Sequence, residues 1–89
     1  MNKQRRESIQ KIADKIEEIK EQVDEILQGL EDIKSDEQDY LDNIPENLES
    51  SERYTIAEEA IDRLDNAIDE LNSTDFESAV EYLQQAIEN

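Results

Sequence analysis

The chain has 89 residues, of which 26 are acidic and 9 are basic, giving a net charge of −17. It contains no histidine and no cysteine, which excludes disulfides, thiol nucleophiles, serine–histidine triads and histidine–metal sites. We therefore expect a single small domain with no enzymatic activity, no cofactor and no bound metal. A chain this short buries little of its surface alone, so we also expect an oligomer.

The negative charge is concentrated in the C-terminal part of the chain. Residues 1–34 hold seven basic and nine acidic residues, whereas residues 35–89 hold two basic and seventeen acidic ones. Like charges at this density repel one another and destabilise a compact state. A chain that keeps them is expected to use them, and the natural partner of an acidic surface is a basic surface. The acidic surface of this chain disfavours direct binding to nucleic acid or to anionic membranes. No apolar run approaches the length of a membrane span. We expect a cytoplasmic protein.

The first predicted helix covers residues 3–41. Its apolar residues recur at alternating intervals of three and four, the heptad pattern of a long helix with a narrow apolar seam. Gly29 lies beside this seam without disturbing its register, so we predict one helix, with a kink near Ser35 as the alternative. We expect the seam to mediate oligomerisation; it consists of Ile9, Ile12, Ile16, Ile19, Val23, Ile26, Leu30 and Ile33.

A single clear break follows this helix. Pro45 lacks a backbone donor and disfavours helical backbone at Ile44, which predicts a loop over residues 42–50. Ser50 or Ser51 is the expected N-cap of the next helix. That second helix is predicted over residues 51–72, where a new apolar stripe begins.

A third, short helix is predicted over residues 74–88. Thr74 fits its N-cap, with Glu77 reaching back to complete a capping box. The predicted fold is therefore an all-α, antiparallel helical hairpin within one domain, residues 1–89. In it the long first helix runs against the second and third. Because a lone hairpin buries little apolar surface, we expect it to dimerise into a coiled coil or four-helix bundle.

The second helix carries a row of acidic residues, which we call the acidic ridge. Glu58, Asp62, Asp65 and Asp69 are spaced by four, three and four residues, so they line one helix face about 5–6 Å apart. Glu59 and Glu70 extend it. Because duplex DNA carries one charge per about 1.7 Å, two ridges in a dimer approach its charge density better than one does. The alternative is that these acids only provide a soluble helix surface.

Two segments carry a resemblance to a known group of proteins. The stretch DNIPENLESSERY (residues 42–54) and the following EEAIDRLDNAI (residues 58–68) resemble a family of small acidic helical proteins encoded by phages and prophages of Gram-positive bacteria. The core N-x-P-E-x-L-x-x-S-E-R is the most distinctive part, and the N-terminal KQRRESI (residues 3–9) is similar too. The resemblance implies a phage setting and supplies no catalytic residues.

These observations predict a non-enzymatic phage protein that binds a bacterial host protein through a basic surface on that partner. Inhibition or modulation of an anti-phage defence factor is the predicted outcome, with acidic mimicry of nucleic acid as the mechanism. One alternative is a structural or assembly module of a phage, in which the hairpin only dimerises. Another is a sponge for an anionic signalling nucleotide, which would require Arg53 and Arg63 to converge.

Overall fold

The computed structural model describes residues 1–48 and 51–88, and all regular secondary structure within them is helical. The all-α prediction is confirmed for this part of the chain. Helix α1 spans Lys3–Asp42, a 3-10 turn spans Glu46–Leu48, α2 spans Glu52–Asn72 and α3 spans Phe76–Glu88. Each boundary lies within two residues of the predicted ranges 3–41, 51–72 and 74–88. The residues outside the description are Glu49, Ser50 and Asn89.

Helix α1 is continuous over 40 residues. Its start is capped by Asn2, whose Oδ1 accepts a hydrogen bond from the backbone N–H of Arg5 at 2.8 Å. Neither Gly29 nor Ser35 interrupts the helix. Gly29 has no positive φ, and a Cβ atom added there would meet no atom within 4 Å. The glycine is therefore required neither by the backbone nor by intrachain packing.

The connection from α1 to α2 is partly hydrogen-bonded. The carbonyl of Pro45 accepts a hydrogen bond from the N–H of Leu48 at 2.8 Å, which closes the 3-10 turn. Ser51 then caps α2, because its Oγ accepts a hydrogen bond from the N–H of Tyr54 at 3.3 Å. Ser51 is one of the two serines expected to act as the cap; the other, Ser50, lies outside the described residues.

The start of α3 differs from the prediction. Asp75 caps this helix, since its carboxylate accepts hydrogen bonds from the N–H of Ser78 at 2.9 Å and from the Ser78 hydroxyl at 2.7 Å. The expectation that Thr74 is the N-cap is wrong, because a charged carboxylate with two acceptor oxygens satisfies both donors of Ser78 at once. Glu77, expected to complete the capping box, pairs with Lys20 of α1 instead.

The length of the chain predicts one domain, and the described residues group into two compact units. The first unit, Met1–Glu25 with Thr74–Asn89, combines the N-terminal part of α1 with α3. The second unit, Ile26–Ser73, combines the C-terminal part of α1 with α2, joined through the 3-10 turn. Within the second unit these two helices form an antiparallel hairpin.

The core of the chain is small. Among the described residues only four hydrophobic side chains are buried, and two of them are alanines: Ala13, Ala57, Ile61 and Ile68. Ala13 belongs to the first unit and the other three to the second. Because alanine has little side chain to bury, the intrachain core is one thin layer between paired helices.

Helix α1 is longer than a bilayer requires but is strongly polar. Charged residues occupy 20 of its 40 positions. A spanning helix needs about 20 consecutive, predominantly apolar residues. Within the described ranges, no helix combines the length and hydropathy needed to cross a membrane.

Candidate protein interaction surfaces

The residues of α1 that face the other helices form what we call the inner row. They occupy heptad positions a and e, and all of them from residue 9 to residue 41 are buried or half-buried. Lys20 and Lys34, both at position e, pair with Glu77 of α3 and Asp65 of α2, which identifies this face as the intrachain contact. The inner row consists of Ile9, Ala13, Ile16, Lys20, Val23, Leu27, Leu30, Lys34, Glu37 and Leu41.

The residues at heptad position d form a second row, which we call the outer row. They recur every seventh residue and remain between 45 and 55 % exposed: Ile12, Ile19, Ile26, Ile33 and Tyr40. The predicted seam is therefore divided, because its a residues pack within the chain and its d residues do not. Sequence reasoning missed the e positions. The available signal was that three of the five e positions are apolar and two are lysines, whose aliphatic stems can cover apolar surface.

The acidic ridge lies on α2, within the second unit. Glu58, Asp62 and Asp69 are exposed, and Asp65 is half-buried. Each member directly follows a buried or half-buried residue of the apolar stripe. Since consecutive helix residues differ by about 100° in direction, the ridge runs along one edge of the contact between α2 and α1.

One member of the ridge is already paired with a cation. Lys34 Nζ donates a hydrogen bond to Asp65 Oδ1 at 2.5 Å. This bond raises the pKa of Lys34, and neighbouring carboxylates add to the increase while partial burial opposes it. Three ridge carboxylates make no ion pair with the described residues: Glu58, Asp62 and Asp69. These three can receive cations from a partner.

The contact between Lys34 and Asp65 also determines which sides of the two helices share a face. Lys34 and the outer row lie on opposite edges of the inner row. In the antiparallel hairpin the ridge lies on the Lys34 side, so the opposite edge of α2 lies beside the outer row. The second unit thus has an acidic face, carrying the ridge, and an apolar face. The apolar face consists of Ile26, Ile33, Tyr40, Ile56, Ala60 and Ala67.

Glu59 and Glu70 widen the acidic surface of α2 rather than lengthen the ridge. Both are exposed, and each follows a ridge member by one residue, so it points further from α1. The whole second unit holds fifteen acidic residues against three basic ones. It therefore carries −12 of the net charge of −17, and six of its fifteen acidic residues are the four ridge members with Glu59 and Glu70.

The first unit contains a groove of about 410 Å³ between α1 and α3. Its lining combines five carboxylates, one lysine and two apolar side chains: Glu17, Lys20, Glu21, Asp24, Phe76, Glu77, Val80 and Glu81. A hydrogen bond from Lys20 to Glu77 raises the pKa of Lys20. Such a lining complements a basic side chain with an aliphatic stem. No local pattern of residues predicts this groove, because its two halves are distant along the chain.

No protein-family model matches this chain, and none of the curated proteins or solved structures is significantly similar to it. The resemblance of residues 42–68 to small acidic phage proteins therefore stays a prediction. The function of this chain is consequently inferred from its own residues, from their geometry and from that predicted resemblance.

The structure offers little to an anionic or metal ligand. Arg53 and Arg63 lie ten residues apart on α2, about 15 Å along its axis, so they do not converge on one anion site. No group of three or more potential ligands within residues 1–48 and 51–88 is arranged to hold a metal ion. The arginine geometry counts against the nucleotide-sponge alternative.

Proposed function

We propose that this chain is a non-enzymatic binding protein whose acidic ridge engages a basic surface on a partner protein. The observation that supports this most strongly is the set of three unpaired carboxylates, Glu58, Asp62 and Asp69, fixed along one edge of α2. The helix keeps these three carboxylates at fixed distances from one another, whereas a flexible acidic loop does not. Charge complementarity of this kind accelerates association and selects among partners.

Proteins that bind nucleic acid are the partner class that fits this charge pattern best. The ridge extends from Glu58 to Asp69, about 16 Å of helix axis. Its three charges without an ion pair to the described residues lie about 6 and 10 Å apart along that axis, against about 3.4 Å between successive charges along each strand of duplex DNA. The ridge is therefore sparser than one phosphate row, and a second copy of the chain would bring the density closer to that of a duplex.

The biological setting of the proposal comes from the resemblance to phage and prophage proteins. In that setting the chain acts in the bacterial cytoplasm on a host protein. Occupying a nucleic-acid groove would block the partner from its substrate, so the effect is inhibition or modulation, and an anti-phage defence factor is the specific case. The chain itself does not bind nucleic acid, because both are strongly negative.

A second candidate function is homodimerisation as a structural or assembly module, with a coiled coil or four-helix bundle as the assembled form. The thin intrachain core and the exposed outer row favour it, because both leave apolar surface that another helix would cover. The two functions are compatible, since the ridge and the apolar face lie on different sides of the second unit. A dimer would present two ridges.

The test uses the immobilised chain to capture proteins from a lysate of a Gram-positive bacterium, with elution by duplex DNA. We expect a specific protein that is released both by the DNA and by about 0.5 M salt, as ion pairs are screened. The ridge variant E58Q/D62N/D69N removes three charges and should weaken binding of that protein at least tenfold. The matched control E7Q/E18Q/E25Q removes three exposed carboxylates from α1.

The comparison of the two variants decides between the ridge and bulk charge. Retained binding by the control together with loss by the ridge variant supports the proposal. Equal losses would show that net charge alone drives capture. Unchanged binding by the ridge variant, with an unchanged salt dependence, would show that the ridge is only solubilising surface. Failure of duplex DNA to release the captured protein would overturn the mimicry mechanism.

A further inference from the structure

We propose that two copies of this chain associate through the apolar face of the second unit. The large side chains of this face are Ile26, Ile33, Tyr40 and Ile56, which are 45 to 58 % exposed. The inference rests on the dimer proposed above and makes its contact more specific. The heptad a residues already pack within the chain. The d residues of the outer row and the adjoining edge of α2 therefore form the contact between copies.

The chain leaves more surface uncovered than a compact monomer of its mass. The accessible surface of the chain is 6911 Å². The scaling law for folded monomers predicts roughly 5,400 Å² at a mass of 10.4 kDa. The excess, about 1,500 Å², is larger than the ~800 Å² that each partner buries in an interface of standard size. The chain as a whole therefore exposes more surface than a compact monomer of its mass, and a second copy that covered ~800 Å² would remove about half of that excess.

The exposed side chains of the apolar face are regularly spaced. Ile26, Ile33 and Tyr40 repeat at intervals of seven, the period at which the side chains of one helix fit between those of another. A second copy carries the same row with the same period, so the two surfaces match by symmetry. Ala60 and Ala67 share this interval on α2, and their small side chains allow close approach of a second helix.

The distribution of charge around the apolar face also favours a second copy as its partner. A second copy is strongly acidic, and association through the ridge side would bring like charges together. The apolar face lies on the opposite side of the hairpin. Both basic residues of α2 border it: Arg53 lies three residues before Ile56, and Arg63 lies between Ala60 and Ala67 on the helix surface. These arginines complement an acidic second copy at the rim of the contact.

The dimer is tested by measuring molecular mass by light scattering and sedimentation between 5 and 500 μM in 150 mM NaCl. We expect wild type to reach twice 10.4 kDa. The variant I33A/I56A should raise the dissociation constant at least tenfold with unchanged helical circular dichroism, because both side chains are exposed within the single chain. The matched control E31A/D62A places two alanines on the acidic side, where we expect no weakening.

A second readout remains informative if I33A/I56A fails to fold. The chain has no cysteine, so single-cysteine variants at Ala60 and Asp62 can each carry one nitroxide label. Dimerisation should immobilise the label at position 60 and leave that at position 62 mobile. A wild-type monomer at 500 μM would overturn both the dimer and its assigned surface. A dimer that survives I33A/I56A, or that immobilises position 62, would overturn only the surface. Neither result bears on partner binding by the ridge.

Discussion

Lys34 of α1 and Asp65 of α2 form an ion pair that fixes how the two arms of the second unit face each other. The pair removes one carboxylate from the acidic ridge. It also places the ridge on the Lys34 side of the hairpin and the outer row on the other side. One contact thus separates an acidic face, suited to a basic partner, from an apolar face suited to a second copy.

The Lys34→Gln variant tests this pair through the pH dependence of stability. The hydrogen bond to Asp65 raises the pKa of Lys34 above its ordinary value of 10.5. The stabilisation is therefore complete below about pH 10.5 and is lost as the pH rises through the higher folded pKa. We expect Lys34→Gln to melt below wild type at pH 8 and the two melting temperatures to converge once the pH exceeds the raised folded pKa of Lys34. The control Lys11→Gln, at a residue without an ion pair to the described residues, should match wild type at pH 8. Equal melting of all three at pH 8 would show that the pair contributes nothing.

The Gly29→Ala variant should stabilise the protein. The backbone there has no positive φ, and a Cβ atom meets open space, so alanine gains helix propensity of about 1 kcal/mol without strain. For a chain of this size that corresponds to a rise in Tm of roughly 4–8 °C. The control Gln22→Ala, in the same helix, should change stability by less than about half as much. A lower Tm for Gly29→Ala in dilute solution would contradict the open environment of this glycine.

The start of α3 is tested by comparing Asp75→Ala with Thr74→Ala. Hydrogen bonds from the N–H and hydroxyl of Ser78 lower the pKa of Asp75 below 3.8. The stabilisation of the folded chain by these hydrogen bonds is therefore complete above pH 3.8 and is lost as the pH falls through the lower pKa of Asp75 in the folded state. At pH 7, Asp75→Ala should lower Tm and speed amide exchange at Ser78, while Thr74→Ala should do neither. The opposite result would restore Thr74 as the cap.

Salt should stabilise this protein. The net charge of −17 opposes the compact state through self-repulsion. Added salt screens this repulsion, because the Debye length falls from about 30 Å at 0.01 M salt to about 3 Å at 1 M. We expect Tm to rise between 10 mM and 500 mM NaCl. The ridge variant E58Q/D62N/D69N should show a shallower rise, because three repelling charges are gone. A wild-type Tm that falls over this range would mean that attractive ion pairs outweigh the repulsion.

Much of the fold can be predicted from the sequence because its signals are local. The unbroken spacing of apolar residues predicted α1 through Gly29, and Pro45 predicted the break before α2. The cap of α3 could not be chosen this way, since Thr74 and Asp75 are both good capping residues and only their geometry decides between them. Local pattern also identified the members of the ridge as neighbours on one helix face.

The pairing of helix faces could not be predicted, because it depends on contacts between distant residues. A heptad pattern shows that a and d positions are apolar, but not which of them a short intrachain partner covers. In the structure α1 turns its a and e positions toward α2 and α3, and Lys34 finds Asp65 across the hairpin. Because α1 packs through its a and e positions, Lys34 pairs with Asp65 of the ridge, and Ile33, at a d position, stays exposed.

Ile61 and Ile56 of α2 lie on different sides of the helix, because only Ile61 belongs to its apolar stripe. Ile61 is 8 % exposed and belongs to the small core, whereas Ile56 is 58 % exposed on the apolar face. Truncation of a buried isoleucine to alanine costs about 2–5 kcal/mol, a large part of the roughly 4–13 kcal/mol available to a domain of this length. Ile61→Ala should therefore melt well below wild type at every protein concentration.

Ile56→Ala serves as the matched control and separates folding from association. In dilute solution its Tm should stay close to that of wild type, because the side chain is already exposed. As the concentration rises from 5 to 500 μM, the Tm of wild type should rise, since a dimer that binds only the folded chain stabilises it. The Tm of Ile56→Ala should rise less. If both variants lost the same stability in dilute solution, the assignment of Ile61 to the core and Ile56 to the surface would be wrong.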